Sequence, residues 1–380
     1  LFSDRTAEQI RHGRILSSQG MFDTALQIER HWELNLWDDE CPWNTSVTFT
    51  LGEPGAARKD VEWKGRTQRP FQSIDQRLKF SCWLDIFQRL GGCLIVQSVA
   101  LADLDEISSW HELTIVASGK GEIGQCFTRD RQRSMFDRPQ RALACMYVTG
   151  MLPAESFPGV RVNVIPGVGE YITMPGLTLG GPCEMMLFEG VPGRGFDALS
   201  NVVGVEEQLN VSQELLARYV PWEAERSASI KLADRQATLK GGYTPSVKHP
   251  TARMPGGKFV LGLADAVVLN DPIAGQGANT AAKCAGVYFD RIIERHQEPF
   301  DESWMQGTFE CCWRQHAQAS TEWSNLLLLN SSMHVVELLR AAARLPNLAD
   351  TVANGFDDAN VFFPWIADPL QTRGVIDSFK

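Results

Sequence analysis

Asp271-Pro272-Ile273-Ala274-Gly275-Gln276-Gly277-Ala278-Asn279 carries more chemistry in its spacing than any other stretch of this 380-residue chain. It follows the apolar run Phe259-Val260-Leu261-Gly262-Leu263-Ala264-Asp265 and leads into small and apolar residues over 280–288. That order predicts a strand with a carboxylate at its end, a glycine turn and a helix. Gly275 and Gly277 permit positive φ and close backbone approach. The first amides of a helix have no intrahelical acceptor, so they suit an anion or an electron-rich ring. Asp265 can accept hydrogen bonds from sugar or polyol hydroxyls, which are neutral donors. The structural alternatives are a tight helix start without a ligand for the turn, and a helix-capping role for Asp265.

Composition narrows the chemistry further. A net charge of −10, with no Lys/Arg-rich run, opposes phosphate backbones and argues against nucleic acid as a partner. The longest apolar stretches, such as 326–329, are far below a membrane span, and no charged-then-apolar leader opens the chain, which places it in the cytoplasm. Nine cysteines are scattered without a Cys-x-x-Cys, so reduced thiols are expected. The seven histidines lack ligand spacing, and no metal is implied. At this length two lobes are expected.

The elements that must position the turn can be read in order. Phe22, Ala25, Leu26 and Trp32 fall near helical spacing, and residues 47–61 read as strand, turn and strand punctuated by Gly52, Pro54 and Gly55. A long helix is predicted over 75–90, ended by Gly91-Gly92, with a strand at 93–96 and a buried strand at 113–117. Residues 142–189 alternate short β-rich runs with Gly and Pro (145–148, 160–165, 171–174, 184–188), which predicts an antiparallel sheet. Leu209, Val211, Leu215 and Leu216 predict a helix over 206–219 covering it. Helices are expected over 281–295 and from about 302 to 344, stopped by Pro346, with a short helix and irregular packing after that. No internal repeat is present.

The order Asp265, Asp271-Pro272, Gly275-x-Gly277-x-Asn279 resembles the second flavin-contact region of FAD-dependent aromatic monooxygenases. It is most similar to the flavin subunit of the two-component styrene and indole monooxygenases, and the resemblance runs along almost the whole chain. Ser3-Asp4-Arg5 and Gly13-Arg14-Ile15-Leu16 resemble the end of a second strand and the flavin-contacting loop after it. Ile74-Asp75-Gln76-Arg77-Leu78 resembles a helix start, Gly241-Gly242-Tyr243-Thr244-Pro245 the approach to the Asp265 strand, and Trp323-Ser324-Asn325 a C-terminal helix.

The resemblance implies an α/β fold: a Rossmann-like FAD-binding lobe, an antiparallel β-sheet substrate lobe and C-terminal helices. The implied division is 1–137 and 241–300 for the FAD-binding lobe, with Ser118-Gly119-Lys120-Gly121 as its closing turn, 138–240 for the substrate lobe and 301–380 for a helical segment. Cofactor contacts are implied for Asp4 (adenosine ribose), Arg14, Ile15, Arg77, Asp265, Pro272, Gly275, Gln276, Gly277, Ala278 and Asn279. Ser17, Asn44, Phe71 and Met185 are the implied pocket residues. Ser17 stands where the resembled enzymes carry Asn, and Phe71 and Asn44 also depart from their pattern, so the pocket's shape differs.

Under that resemblance the flavin carries the difficult chemistry and no catalytic side chain is needed. The implied activity is epoxidation of an aryl alkene such as styrene or indole. It would use O₂ and reduced FAD from a separate NADH-dependent flavin reductase, through a C4a-peroxyflavin shielded from water. Leu1-Phe2-Ser3-Asp4-Arg5 reads as the end of a strand, and no Gly-x-Gly-x-x-Gly turn is present, so a preceding strand-turn-helix unit is expected in the complete enzyme. The alternatives are a single-component NAD(P)H-dependent aromatic hydroxylase and a catalytically silent flavin-fold binding protein. Base rates make a homodimer the expected assembly.

Overall fold

The computed structural model describes residues 1–380 except 56, 120, 155–156 and 330–331. Lys120 of the expected closing turn therefore lies outside the described residues. The largest element is an eight-stranded sheet. Its order is Lys231–Leu232, Ala142–Thr149, Gly181–Gly190, Gly169–Thr178, Val160–Ile165, Asn44–Gly52 and Lys59–Phe71, with Thr238–Gly241 also pairing with Ala142–Thr149. All pairings are antiparallel except that of Asn44–Gly52 with Val160–Ile165, which is parallel. The strands within 142–190 pair antiparallel as expected, and the parallel neighbour Asn44–Gly52 makes the whole sheet mixed. The strands over 44–71, expected in the first lobe, join this sheet instead. Their alternating buried positions, Val61 and Trp63 among them, need the apolar cover that only the larger sheet shares.

Period-two alternation sorts the strands' side chains onto two cores. Cys145 and Tyr147 face a cluster with Phe71, Met174, Met185 and the C-terminal helices, while Ala144, Met146 and Val148 face Phe188, Phe196, Leu215 and Leu216. The last two lie on the helix Val205–Tyr219, which covers the second face as expected.

The other sheets are short. Phe2–Ser3 runs parallel to Ile95–Val96, Ile115–Val116 parallel to Phe259–Gly262, Thr251–Arg253 antiparallel to Phe259–Gly262, and Ser246–Val247 antiparallel to Val268–Leu269. The expected strand over 93–96 is confined to two exposed residues, and in the expected buried strand over 113–117 only Val116 is buried within the paired segment.

The C-terminal region is more helical than expected. The stretch over 302–344 divides into Glu302–Cys312, a π-helical turn Trp313–Ala317, Gln318–Leu328 and Met333–Ala342. Pro346 opens rather than stops a helix: Pro346–Asn354 is followed by Ala359–Ala367 and Pro369–Ser378. Proline suits the first helical turn, where its missing N–H has no partner to lose, and Asp358 and Asp368 cap the helices that follow them. Among the described residues no helix is long and apolar enough to cross a membrane. No group of three or more His, Cys, Asp or Glu among them could hold a metal.

Candidate functional site

The stretch between Asp265 and Asn279 folds in steps. Phe259–Gly262 is followed by a 3-10 turn at Ala264–Ala266, a short strand at Val268–Leu269 and a second 3-10 turn at Pro272–Ala274. The Asp271 carboxylate accepts from the Ile273 amide at 3.2 Å, and the Gly275 amide donates to the Pro272 carbonyl at 2.7 Å. Gly275 then takes φ 64°, the left-handed conformation that favours glycine, and the helix Gly277–Arg295 begins. A Cβ added at Gly275 or Gly277 would meet nothing within 4 Å. The turn therefore presents an open face at the positive end of a long helix, where the first amides have no acceptor in that helix.

Its neighbours hold it in place from behind. Asn279, fully buried, donates from Nδ2 to the Gly20 and Gly275 carbonyls and accepts the Phe22 amide at Oδ1. Gln276 donates to the Ala274 and Phe356 carbonyls. Both side chains point into the protein, so what these residues can offer a ligand is backbone. Ala278 packs on Met21, Ala25 and Leu26. Pro272 is half-buried on the same turn.

Asp265 is exposed and lines a narrow cleft of about 20 Å³ together with Ala264, Gly277, Thr280, Cys284 and Cys312. The cleft thus joins the carboxylate to the first turn of the glycine-led helix. Gly119 is required here, because a Cβ on it would stand 2.6 Å from the Asp265 carbonyl oxygen. Cys284 and Cys312 are bonded to each other, with Cα atoms 5.4 Å apart, tying Gly277–Arg295 to Glu302–Cys312. The sequence reading expected nine thiols; only the packing of the two helices brings this pair within bonding reach.

The segment after Arg14 threads between the turn and the large sheet. The Ile15 amide donates to the Gln236 carbonyl, Tyr147 donates its hydroxyl proton to the Ser17 carbonyl, and Met21 exchanges backbone hydrogen bonds with Gln72. Ile15, Phe71, Met185 and the turn's Ala274 share one apolar cluster, and the Phe22 and Phe71 rings lie 4.7 Å apart. Ser17 is half-buried, with its hydroxyl 3.1 Å from Gln19 Oε1. Asn44 is fully buried at the start of the interior strand Asn44–Gly52 and donates to the Pro175 carbonyl at 3.0 Å.

The arginines and Asp4 divide differently from the expectation. Arg14 is exposed and available. Asp4 is exposed and paired with Arg5 at 3.3 Å. Arg77, expected near the cofactor, is 1% exposed and fully engaged inside the protein: it binds Asp75, Asp234, Thr178 and the Gly13 carbonyl. Burial alone would lower its pKa, but Asp234 and Asp75 outweigh that and raise it. It is a clamp joining the helix Gln76–Arg89 to the sheet lobe and the Gly13 loop, and its donors are already spent on those acceptors.

One charged cluster went unnoticed in the sequence reading. Glu189 and Glu170 sit directly opposite each other on neighbouring strands, and Arg141 makes a two-pronged ion pair with Glu170 (2.7 and 3.0 Å). The available signal was two acids placed within runs otherwise read as buried strands.

Comparison with known proteins bears on this arrangement. Residues 119–226 match the family model described as "Styrene monooxygenase A putative substrate binding domain". A styrene monooxygenase StyA from Pseudomonas fluorescens is 24% identical over 94% of this chain and 86% of its own length. The chain resembles flavin oxygenases of the styrene monooxygenase type. A second StyA, from a Pseudomonas species, is 27% identical over 77% of this chain and 71% of its own length. The fold is similar to that of a flavoprotein/dehydrogenase from Cytophaga hutchinsonii (TM-score 0.67, 11% identity, 99% of this chain and 91% of that one). It is also similar to that of the flavin-dependent brominase Bmp2 (TM-score 0.59, 11% identity, 100% and 92%). The architecture of this styrene monooxygenase-like chain is accordingly an FAD-binding fold.

Proposed function

We propose that the chain is the oxygenase component of a two-component flavin monooxygenase. It would take reduced FAD from a separate NADH-dependent reductase and use O₂ to epoxidise an aryl alkene of the styrene or indole kind. The observation that carries this reading is the open face of the Gly275–Gly277 turn, beside Asp265 and backed by the apolar cluster of Phe71, Met185 and Ala274. Similarity to StyA proteins along most of the chain supports it.

The residues present suit the ring end of FAD. Backbone N–H groups of Gly277 and Ala278 would face its polar edge, and Asp265 would accept from its ribityl hydroxyls. Arg14 is free to approach the phosphates. When bound, the flavin supplies oxygen activation. The protein's part is to hold the ring, place an apolar alkene beside it and keep water out, for which the Ser17, Phe71 and Met185 side chains and Asn44 are the proposed wall.

Two measurements test the reading. The complete protein, supplied with FAD, NADH, O₂ and a flavin reductase, should convert styrene to its oxide or indole to blue pigment. Sustained peroxide release without oxygenated product would count against it, and NADH oxidation without reductase would select a single-component hydroxylase. Separately, Gly277→Leu projects a side chain into the open face without an internal clash. It should weaken reduced-FAD binding at least about tenfold while the thermal midpoint moves by no more than about 2 °C. Unchanged FAD affinity would remove the turn from the site.

A further inference from the structure

The segment Ser17-Ser18-Gln19-Gly20 joins the glycine turn to the apolar wall, and hydrogen bonds to three of its carbonyls hold it there. At one end the Gly20 carbonyl accepts from Asn279 Nδ2 at 2.8 Å. At the other the Ser17 carbonyl accepts the hydroxyl proton of Tyr147, whose side chain is fully buried. Between them the Gln19 carbonyl accepts from the Ser73 hydroxyl at 2.6 Å, and that hydroxyl oxygen lies 2.9 Å from Met185 Sδ. A Cβ on Gly20 would stand 3.6 Å from both the Phe71 ring and Met174 Sδ. Ser17 therefore rides on backbone anchored to the wall residues, and it is itself only half-buried.

The donor and acceptor roles of its side chain follow by elimination. Gln19, 8% exposed, donates from Nε2 to the Ile74 carbonyl at 2.5 Å; a carbonyl can only accept, so the amide has one orientation. Its Oε1 then faces Ser17, 3.1 Å from the hydroxyl oxygen. An amide oxygen also only accepts, so the Ser17 proton is committed to Gln19. The remaining lone pairs of Ser17 Oγ have no donor among the described residues. Ser17 is thus a fixed acceptor on a segment packed against the apolar surfaces of Phe71, Met174 and Met185, and it cannot turn its proton outward without giving up the Gln19 bond.

We propose that Ser17 selects the substrate of this site by accepting a hydrogen bond from a ring N–H, so that an aromatic alkene carrying an N–H, of the indole kind, is taken in preference to its hydrocarbon counterpart. An N–H placed against Ser17 keeps the oxygen hydrogen-bonded when water leaves the pocket. A C–H in the same place strips water from that oxygen and returns nothing, so the discrimination comes chiefly from rejection of the hydrocarbon. One net hydrogen bond between neutral partners corresponds to a preference of about five- to tenfold.

This inference deepens the flavin reading and rests on it for turnover but not for binding, so the experiment has two arms. Indole and indene have nearly the same shape and differ by N–H against CH₂. Calorimetric titration of the complete protein, with and without oxidised FAD, should show indole binding about five- to tenfold more tightly than indene, a ratio that falls below about twofold in S17A. Equal affinities in the wild type, a preference that survives S17A, or binding of neither arene overturns the proposal. In turnover with a flavin reductase, NADH and O₂, S17A should lower kcat/KM for indole by the same factor, mostly through KM, and leave indene within about twofold. Comparing the indole-to-indene ratio between wild type and variant cancels the intrinsic reactivities of the two alkenes. Loss of reduced-FAD affinity in S17A with that ratio unchanged would give the acceptor to the flavin and also overturn the proposal. The expected binding preference without oxygenation of either alkene overturns the flavin reading and leaves selection by Ser17 standing.

Discussion

The eight-stranded sheet and the collection of short strands around Asp265 are built on opposite plans. In the large sheet, strands of up to thirteen residues share long registers and bury both faces against helices. Around Asp265 each strand has two to four residues, and the segments are held by loops, helices and cross-links rather than by long ladders. The open turn belongs to the second region and its apolar wall to the first. A rigid wall facing a backbone cradle suits a site that must shape a pocket on one side and admit a large planar ligand on the other.

The largest effect is expected where the two plans are joined. Arg77→Leu would strand Asp75 in the interior and release the Gly13 loop, costing about 3–5 kcal/mol of unfolding free energy by denaturant titration. A loss below about 1 kcal/mol would show that the two regions do not depend on this clamp. Next, Asn279→Ala deletes three hydrogen bonds and leaves the buried Phe22 amide without its acceptor, for about 2–4 kcal/mol. Its distinguishing readout is faster amide exchange over 20–22 and 272–279, with the large sheet unchanged.

Reduction of Cys284–Cys312, or Cys284→Ser, tests whether the turn's region leans on cross-links. The 28-residue separation suggests about 2–4 kcal/mol, read as a lowered thermal midpoint that reducing agent does not alter in the variant. The smallest effect is a gain. Ala264 adopts φ 51° beside Asp265, so Ala264→Gly relieves a left-handed alanine and should stabilise the protein by about 0.5–1 kcal/mol. A loss instead would mean that the methyl group's packing in the cleft outweighs the backbone strain.

Much of this was legible in the sequence because it depends on local rules. The glycine turn, the helix Gln76–Arg89 with its Asp75 cap and the helix Val205–Tyr219 all announce themselves through capping, punctuation and periodicity. The strands of the large sheet were found but drawn short: Gly169–Thr178 extends through Pro175 and Gly176, residues that local preference treats as breaks but that pairing with Glu184 and Cys183 sustains. Proline misled at Pro346, which local preference reads as a stop but which opens the helix Pro346–Asn354.

The site divides in the same way. From its residues alone, the chain determined that Gly275 would bend, that Gly277 would open a helix and that Asp265 would lie near them, because those properties follow from φ freedom and helix ends. Only the tertiary structure decided that Asn279 and Gln276 turn inward, that Arg77 is consumed by Asp75 and Asp234, that Cys284 meets Cys312 and that Glu170 meets Arg141. Each of these pairs residues from segments separated along the chain. Their energy depends on burial and on which partner arrives first in space, and neither quantity exists until the chain has packed.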